Sequence, residues 1–295
     1  VGAIDTIKTD HLLGMEVGSS TIVRELARGG MAVIFVAYQR TLKRRIALKV
    51  LPKSLITPTA SELFQREAES AAVLYHPNII PVYEVGETDE FLYFSMQLVE
   101  GESLLHVMKT ARKNILPSKR TIDLKTALSI GIRVLDALAY AHTEGIVHRD
   151  IKPGNILIEK RNGRPILLDF GVVKVLKEDV KTRRVIQGTP VYMAPEQILG
   201  LSVDGRADIY AFGITLSQML VPSLPFPKVK NAVELMREKV KRKDHVFVRS
   251  LATLNPRLDE RFDAIIKKTI AYHPDNRYQS CDELKQELEE YLSQL

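Results

Sequence analysis

The chain has 295 residues, 45% of them apolar and 26% charged, and carries a net charge of +6. That balance gives ample apolar material for a core and excludes a disordered tail, a collagen-like fibre or a disulfide scaffold. One cysteine, Cys281, has no partner for an internal bridge, which fits a reducing compartment.

The positive charges are dispersed and tryptophan is absent, so no basic stripe interleaves with aromatic residues and dedicated nucleic-acid binding is not expected. The most apolar stretch, residues 209–221, contains Ser217 and Gln218 and stops at Pro222, too short for a membrane span. No signal peptide is visible. The chain opens on Val1, so it reads as a segment of a longer protein.

In chain order, short β-rich runs come first, at residues 21–25, 32–37, 45–51 and 91–99. One helix interrupts them. It begins at Thr59 with Glu62 three residues on, a capping-box spacing, and puts Phe64, Glu67, Ala71 and Leu74 on one stripe. The texture changes near Glu100-Gly101. Beyond it, residues 124–142, 208–220, 258–271 and 282–295 space their apolar residues by three and four, and Ser280 with Glu283 caps the last run. The class is α+β: an extension over 1–20, a small sheet domain with one helix over 21–100, and a larger helical domain over 101–295. A cleft between two such domains is a usual place for a small-molecule site.

Leu26-Ala27-Arg28-Gly29-Gly30-Met31-Ala32 separates two of the expected strands. Small residues there let backbone N–H groups approach a polyphosphate, although a glycine pair between strands also makes a plain hairpin turn. On the run 45–51, Ala47, Lys49 and Leu51 share one strand face. Glu67 lies on the apolar stripe of its helix, where a lone carboxylate is costly to bury, and Lys49 is its natural partner. The segment from His148 to Asn155 gathers Asp150, Lys152 and Asn155 within six residues on a stretch broken by Pro153 and Gly154. A carboxylate at Asp150 can take the proton of an attacking hydroxyl, Lys152 can neutralise a moving phosphoryl group, and Asn155 offers an oxygen ligand. Asp169 supplies a second carboxylate at the end of an apolar run, and oxygen ligands of this kind suit magnesium.

These motifs resemble those of the protein kinases, most closely the eukaryotic-like Ser/Thr kinases of bacteria, from about Thr21 to Leu295. The family's order is kept: the glycine-rich loop, Ala47-Leu48-Lys49, Glu67, His148-Arg149-Asp150 through Asn155, Asp169-Phe170-Gly171, Ala194-Pro195-Glu196, Asp208 and Arg277. The resemblance implies a bilobal fold, with a small antiparallel-sheet lobe carrying one main helix, a larger helical lobe, and an ATP cleft between. It implies transfer of the γ-phosphoryl group of ATP, with Mg²⁺, to Ser or Thr hydroxyls of protein substrates.

By the same resemblance, Asp150 is the catalytic base, Lys49 holds the α- and β-phosphates and pairs with Glu67, and Asn155 and Asp169 bind Mg²⁺. Leu26, Ala27, Gly29 and Gly30 belong to the loop over the nucleotide. Ile34, Ala47 and Leu157 sandwich adenine, Met96 is the gatekeeper, and the hinge Gln97-Leu98-Val99 bonds the adenine edge. Glu196 pairs with Arg277, and Asp208 braces the catalytic-loop backbone. Gly188-Thr189-Pro190 leads into a peptide-docking segment, and Lys152 with Thr189 marks the Ser/Thr class.

The loop departs from the family's G-x-G-x-x-G, because the first and third glycines are Ala27 and Ala32. That predicts a stiffer loop or one farther from the phosphates. Between Gly171 and Gly188, Thr182 is the only hydroxyl residue in a stretch of net charge +3. Phosphate on Thr182 would pair with Arg149 and Lys174, which match the family's receiving cations, and order the loop. Self-association for phosphorylation in trans is a further expectation, as is a cytoplasmic location, free or as part of a membrane-anchored protein. Two other readings are a pseudokinase or ATP-binding scaffold, and a small-molecule phosphotransferase. Retention of Lys49, Glu67, Asp150, Asn155 and Asp169 speaks against the first, and the Ala194-Pro195-Glu196 segment against the second.

Overall fold

The computed structural model describes residues 10–28, 32–53, 72–116, 119–169 and 190–295. The expected helix beginning at Thr59, with Glu67, lies outside the described residues, as do Gly29, Gly30, Lys174, Thr182 and Thr189. The chain divides into two compact units, the first reaching Glu100 and the second beginning at Gly101.

The first unit is built on a six-stranded antiparallel sheet in the order β1-β2-β3-β4-β6-β5. Its strands are β1 (Glu16–Val17), β2 (Ser20–Arg28), β3 (Val33–Gln39), β4 (Arg44–Pro52), β5 (Val82–Glu87) and β6 (Phe91–Gln97). The sheet begins ahead of residue 21, since Glu16 and Val17 pair with Thr21 and Ser20. One face carries a core of Leu12, Val17, Ile22, Val33, Phe35, Ala37, Ile46, Leu48, Val50, Phe91 and Tyr93. β4 is buried on both faces from Ile46 to Leu51, so apolar residues follow one another there without polar alternation, Lys49 excepted. β5 escapes the sequence pattern because a bulge between Val82 and Glu84 breaks its alternation. β6 ends at Gln97, two residues before the expected limit.

The second unit opens with β7 (Gly101–Ser103), which pairs with β8 (Ile156–Glu159), itself paired with β9 (Pro165–Leu167). Its helices are α1 (Leu104–Arg112), α2 (Leu124–Thr143), α3 (Pro195–Leu199), α4 (Gly205–Leu220), α5 (Ala232–Arg242), α6 (Leu251–Leu254), α7 (Glu260–Thr269) and α8 (Cys281–Ser293). Side-chain caps set the starts: Asp123 for α2, Asp204 for α4, Asn231 for α5, Asp259 for α7 and Ser280 for α8 each accept a first-turn N–H. The caps explain the shifted boundaries, since Asp204 starts α4 three residues earlier than the apolar pattern alone suggests. α4 is buried around nearly its whole circumference, with α2 and α7 packed against it. A Cβ at Gly213 would come 2.6 Å from Thr269 Cγ2, so glycine is what lets α4 lie this close to α7. No helix among the described residues is long and apolar enough to cross a membrane.

Candidate active site

In the first unit, strand register decides which candidate residues share a face. Ile34 lies opposite Lys49, Ala47 opposite Met96, and Ala27 opposite Ile34. Residues directly opposite one another in an antiparallel pair project to the same side. Ala27, Ile34, Ala47, Lys49 and Met96 therefore line one face, the one turned away from the Phe35 and Leu48 core. Lys49 is 5% exposed, with its ammonium 5.4 Å from the centre of the Phe94 ring. A lysine buried on a strand is costly without electrostatic support, and the aromatic face supplies part of it. Leu26 and Ala27 lie in β2, and Ala27 is not among the described residues with positive φ, so the strand accepts alanine without backbone strain. Gln97 donates its N–H to Pro81, and Gln97 and Val99 are part-exposed beside buried Met96.

In the second unit the residues of the His148–Asn155 stretch converge. Asp150 Oδ2 accepts from Lys152 Nζ at 2.7 Å and from Asn155 Nδ2 at 3.0 Å, and Asn155 Nδ2 also donates to the Asp150 carbonyl at 2.9 Å. Both partners of that amide only accept, so its nitrogen faces Asp150 and its carbonyl oxygen lies on the other side. The Asn155 carbonyl accepts from Leu168 N–H at 2.9 Å, and His148 Nε2 lies 2.9 Å from the Leu168 carbonyl. These bonds fix the backbone immediately before Asp169. Asp169 itself has φ of +55° and Arg149 has φ of +64°, a region non-glycine residues occupy at a cost of roughly 1–2 kcal/mol each. An Asn oxygen and an Asp carboxylate at these two positions are hard donors of the kind Mg²⁺ takes, so the residues fit such an ion. Leu157 stands in β8, opposite Ile166.

Asp208 holds this loop from α4. Its Oδ1 accepts the Arg149 N–H at 2.7 Å, and its Oδ2 accepts the His148 N–H at 2.8 Å and meets His142 Nε2 at 2.9 Å. His142 reaches it from the end of α2, and Gly205 makes the room: a Cβ there would come 2.7 Å from the imidazole. The Cys281 thiol lies 3.6 Å from His142 Nδ1, and burial pushes that thiol above its ordinary range, so it stays protonated. His148 is fully buried and burial pushes its pKa down. The neutral ring uses both nitrogens, with Nε2 donating to Leu168 and Nδ1 accepting the Asp150 N–H at 3.3 Å. Gln197 adds a further tie, accepting from Ala194 N–H and donating to the Arg149 carbonyl at 3.2 Å. His142 closes the apolar stripe of its helix, which is the only signal the sequence offers for it, and nothing in the sequence marks Gln197.

Below the loop, Arg277 and Glu196 form a buried two-pronged ion pair with N···O distances of 2.6 and 2.8 Å. The remaining guanidinium hydrogens reach the carbonyls of Ala271, Arg206 and Tyr272, so all five donors are met.

Residues 20–288 match the family described as protein kinase domain. The chain is 37% identical over 279 residues to a probable serine/threonine-protein kinase of Streptomyces coelicolor, covering 90% of this chain and 39% of that protein. It is 34% identical over 273 residues to the serine/threonine-protein kinase PknF of Mycobacterium tuberculosis, covering 88% of this chain and 54% of that one. The chain thus spans from about two fifths to about half of these relatives. The crystal structure of the Mycobacterium tuberculosis PknI kinase domain superposes with a TM-score of 0.72 at 28% identity, covering 94% of this chain and 98% of that one. With a match across nearly its whole length and the His148–Asn155 loop hung on Asp208, the chain belongs to the protein kinase family, among the eukaryotic-like Ser/Thr kinases of bacteria.

Proposed function

We propose that this chain is an ATP-dependent protein serine/threonine kinase domain, moving the γ-phosphoryl group of ATP to Ser or Thr hydroxyls of protein substrates. The observation that carries the reading is Asp150, whose Oδ2 is held by Lys152 and Asn155 on a loop whose backbone N–H groups are bound by Asp208. Asp150 orients the acceptor hydroxyl and takes its proton as the oxygen–phosphorus bond forms and the bond to the β-phosphate breaks. Lys152 faces the negative charge of the phosphoryl group in flight. Asn155 and Asp169 are the residues that would hold Mg²⁺, which supplies charge neutralisation to the phosphates. Lys49, paired with Glu67, serves the α- and β-phosphates. Leu26, Ala27, Gly29 and Gly30 cover the nucleotide, and Ile34, Ala47, Met96, Gln97, Val99 and Leu157 serve the adenine.

Regulation is part of the proposal. Phosphate on Thr182 pairs with Arg149 and Lys174 and orders the segment around it, and transfer from one self-associated copy to another is the route proposed for it. The acceptors are proteins, not nucleic acid, and the domain works on the cytoplasmic side, free or as part of a membrane-anchored protein.

The test is transfer of radiolabel from γ-labelled ATP to the protein itself and to a generic basic protein. Wild type should label both, and Asp150→Asn should lower turnover by roughly 10²–10⁴ while nucleotide affinity changes little. Nucleotide binding without any transfer would favour an ATP-binding scaffold and overturn the reading. Mass spectrometry after incubation with Mg-ATP should find phosphate on Thr182, and a fully active enzyme lacking it would remove the regulatory part.

A further inference from the structure

Lys239 is set in the charge-rich run Glu238-Lys239-Val240-Lys241-Arg242 of α5, a sequence that reads as a solvated helix face. The structure puts it elsewhere. Lys239 is 1% exposed, among the most completely buried large side chains of the described residues. Its ammonium donates to the carbonyls of Pro190 at 3.1 Å, Val191 at 2.7 Å and Met193 at 2.7 Å. Three carbonyls need three N–H donors, so the geometry calls for the ammonium, since a neutral amine would turn its lone pair on one of the oxygens. The rings of Tyr210 and Phe226 stand 4.9 and 5.6 Å from the nitrogen and support the charge. Burial and the Arg277 charge push the pKa down while Glu196 opposes them.

The segment so held is short and has further ties at Tyr192 and Ala194. Tyr192 donates its hydroxyl to Gln218 of α4, and Ala194 is bound by Gln197, which also reaches the Arg149 carbonyl. The carbonyls of Pro190, Val191 and Met193 are therefore turned inward onto one cation, and the exit of the segment is coupled to the catalytic loop. Backbone carbonyls in an irregular stretch would otherwise need water or a regular ladder.

We propose that Lys239 is a positioning residue for docking of the protein substrate: by gathering the carbonyls of Pro190, Val191 and Met193 onto one buried ammonium, it fixes the backbone on which the acceptor peptide lies. The inference rests on the kinase reading above and adds to it a determinant of peptide affinity outside the nucleotide and catalytic residues. Losing the three donors frees the segment to adopt other conformations, so the peptide must order it on binding.

The experiment measures steady-state kinetics of wild type, Lys239→Met and Lys239→Gln with a Ser-containing peptide found to be phosphorylated by wild type, varying peptide and ATP separately. Lys239→Met keeps the length of the side chain and removes every donor, and should raise the KM for peptide roughly tenfold while the KM for ATP moves less than twofold. Lys239→Gln retains two N–H donors and should fall between. Equal KM values for peptide in wild type and Lys239→Met overturn the proposal, and so do parallel rises in both KM values, which indicate a general structural role. Absence of transfer by wild type refutes the kinase reading instead, so the two failures are distinguishable. Should neither variant fold, the wild-type protein still decides: in amide hydrogen exchange, saturating peptide must slow exchange over residues 191–193, and unchanged exchange there overturns the role.

Discussion

Replacing Asp208 with Asn changes one atom and tests whether the catalytic loop hangs on that carboxylate. The carboxylate accepts three hydrogen bonds, one on Oδ1 from Arg149 N–H and two on Oδ2 from His148 N–H and His142. An amide in its place has a single oxygen. Its better orientation keeps that oxygen on the His148 and His142 side and turns the NH₂ group against the Arg149 N–H, so two donors meet. Bonds to a charged acceptor contribute about 1.5–3 kcal/mol and neutral ones about 0.5–1.5, while a buried unmet donor costs about 1–3. Since the Asp208 side chain is 1% exposed, solvent does not relieve the loss, and the expected destabilisation is about 2–4 kcal/mol. The freed N–H belongs to Arg149, whose φ of +64° is held by that bond, so the backbone next to Asp150 should relax. A displacement near 1 Å at a catalytic group costs on the order of 10²-fold in turnover. Urea unfolding and single-turnover phosphotransfer, measured on the same preparation, read the two consequences separately. Destabilisation with unchanged turnover would reduce Asp208 to a fold-stabilising residue. A loss below about 1 kcal/mol with full turnover would refute the reasoning altogether.

Arg277→Met strands the Glu196 carboxylate and three carbonyls in a dry site, and urea unfolding should register a loss of about 3–5 kcal/mol. Adding Glu196→Leu should recover only part, because the carbonyls of Ala271, Arg206 and Tyr272 stay unmet; complete recovery would mean the ion pair alone carried the cost. Buried neutral His148 is held below its ordinary value of 6.5, so as pH falls below 6.5 the unfolded chain takes up a proton that the folded chain refuses. Its contribution to stability is complete above that pH and is lost as pH falls, with a slope of up to about 1.4 kcal/mol per pH unit. Unfolding at pH 7.5 and 5.5 should show the difference in wild type and not in His148→Gln, and parallel slopes would contradict it. A double-mutant cycle with Lys49→Met and Glu67→Gln on kcat/KM should give a coupling on the order of 1 kcal/mol or more, whereas additive losses would mean that the two side chains act apart.

What the sequence determined by itself is whatever neighbouring residues settle among themselves. The cap at Ser280, the apolar periods of α2 and α4, and the crowding of Asp150, Lys152 and Asn155 into six residues are local, and each was readable because the groups concerned lie within one or two turns of chain. Boundaries were legible to within a few residues, and the misses followed local chemistry, as where Asp204 draws α4 back to Gly205. β5 was not legible because its bulge spoils the alternation, and α5 was hidden by its charge. The ordering of motifs along the chain carried the family and, through it, the pairing of Glu196 with Arg277 across 81 residues. Only the tertiary structure decided what distant groups do to one another: that His142 joins the two backbone N–H groups on Asp208, that a glycine at 205 leaves room for the His142 ring, and that Lys239 is buried. A charged residue on a helix has the same local signature whether its face meets water or three carbonyls. The difference lies in what the rest of the fold brings to that face, and desolvation and hydrogen-bond satisfaction depend on that neighbourhood and not on the residues beside it in sequence.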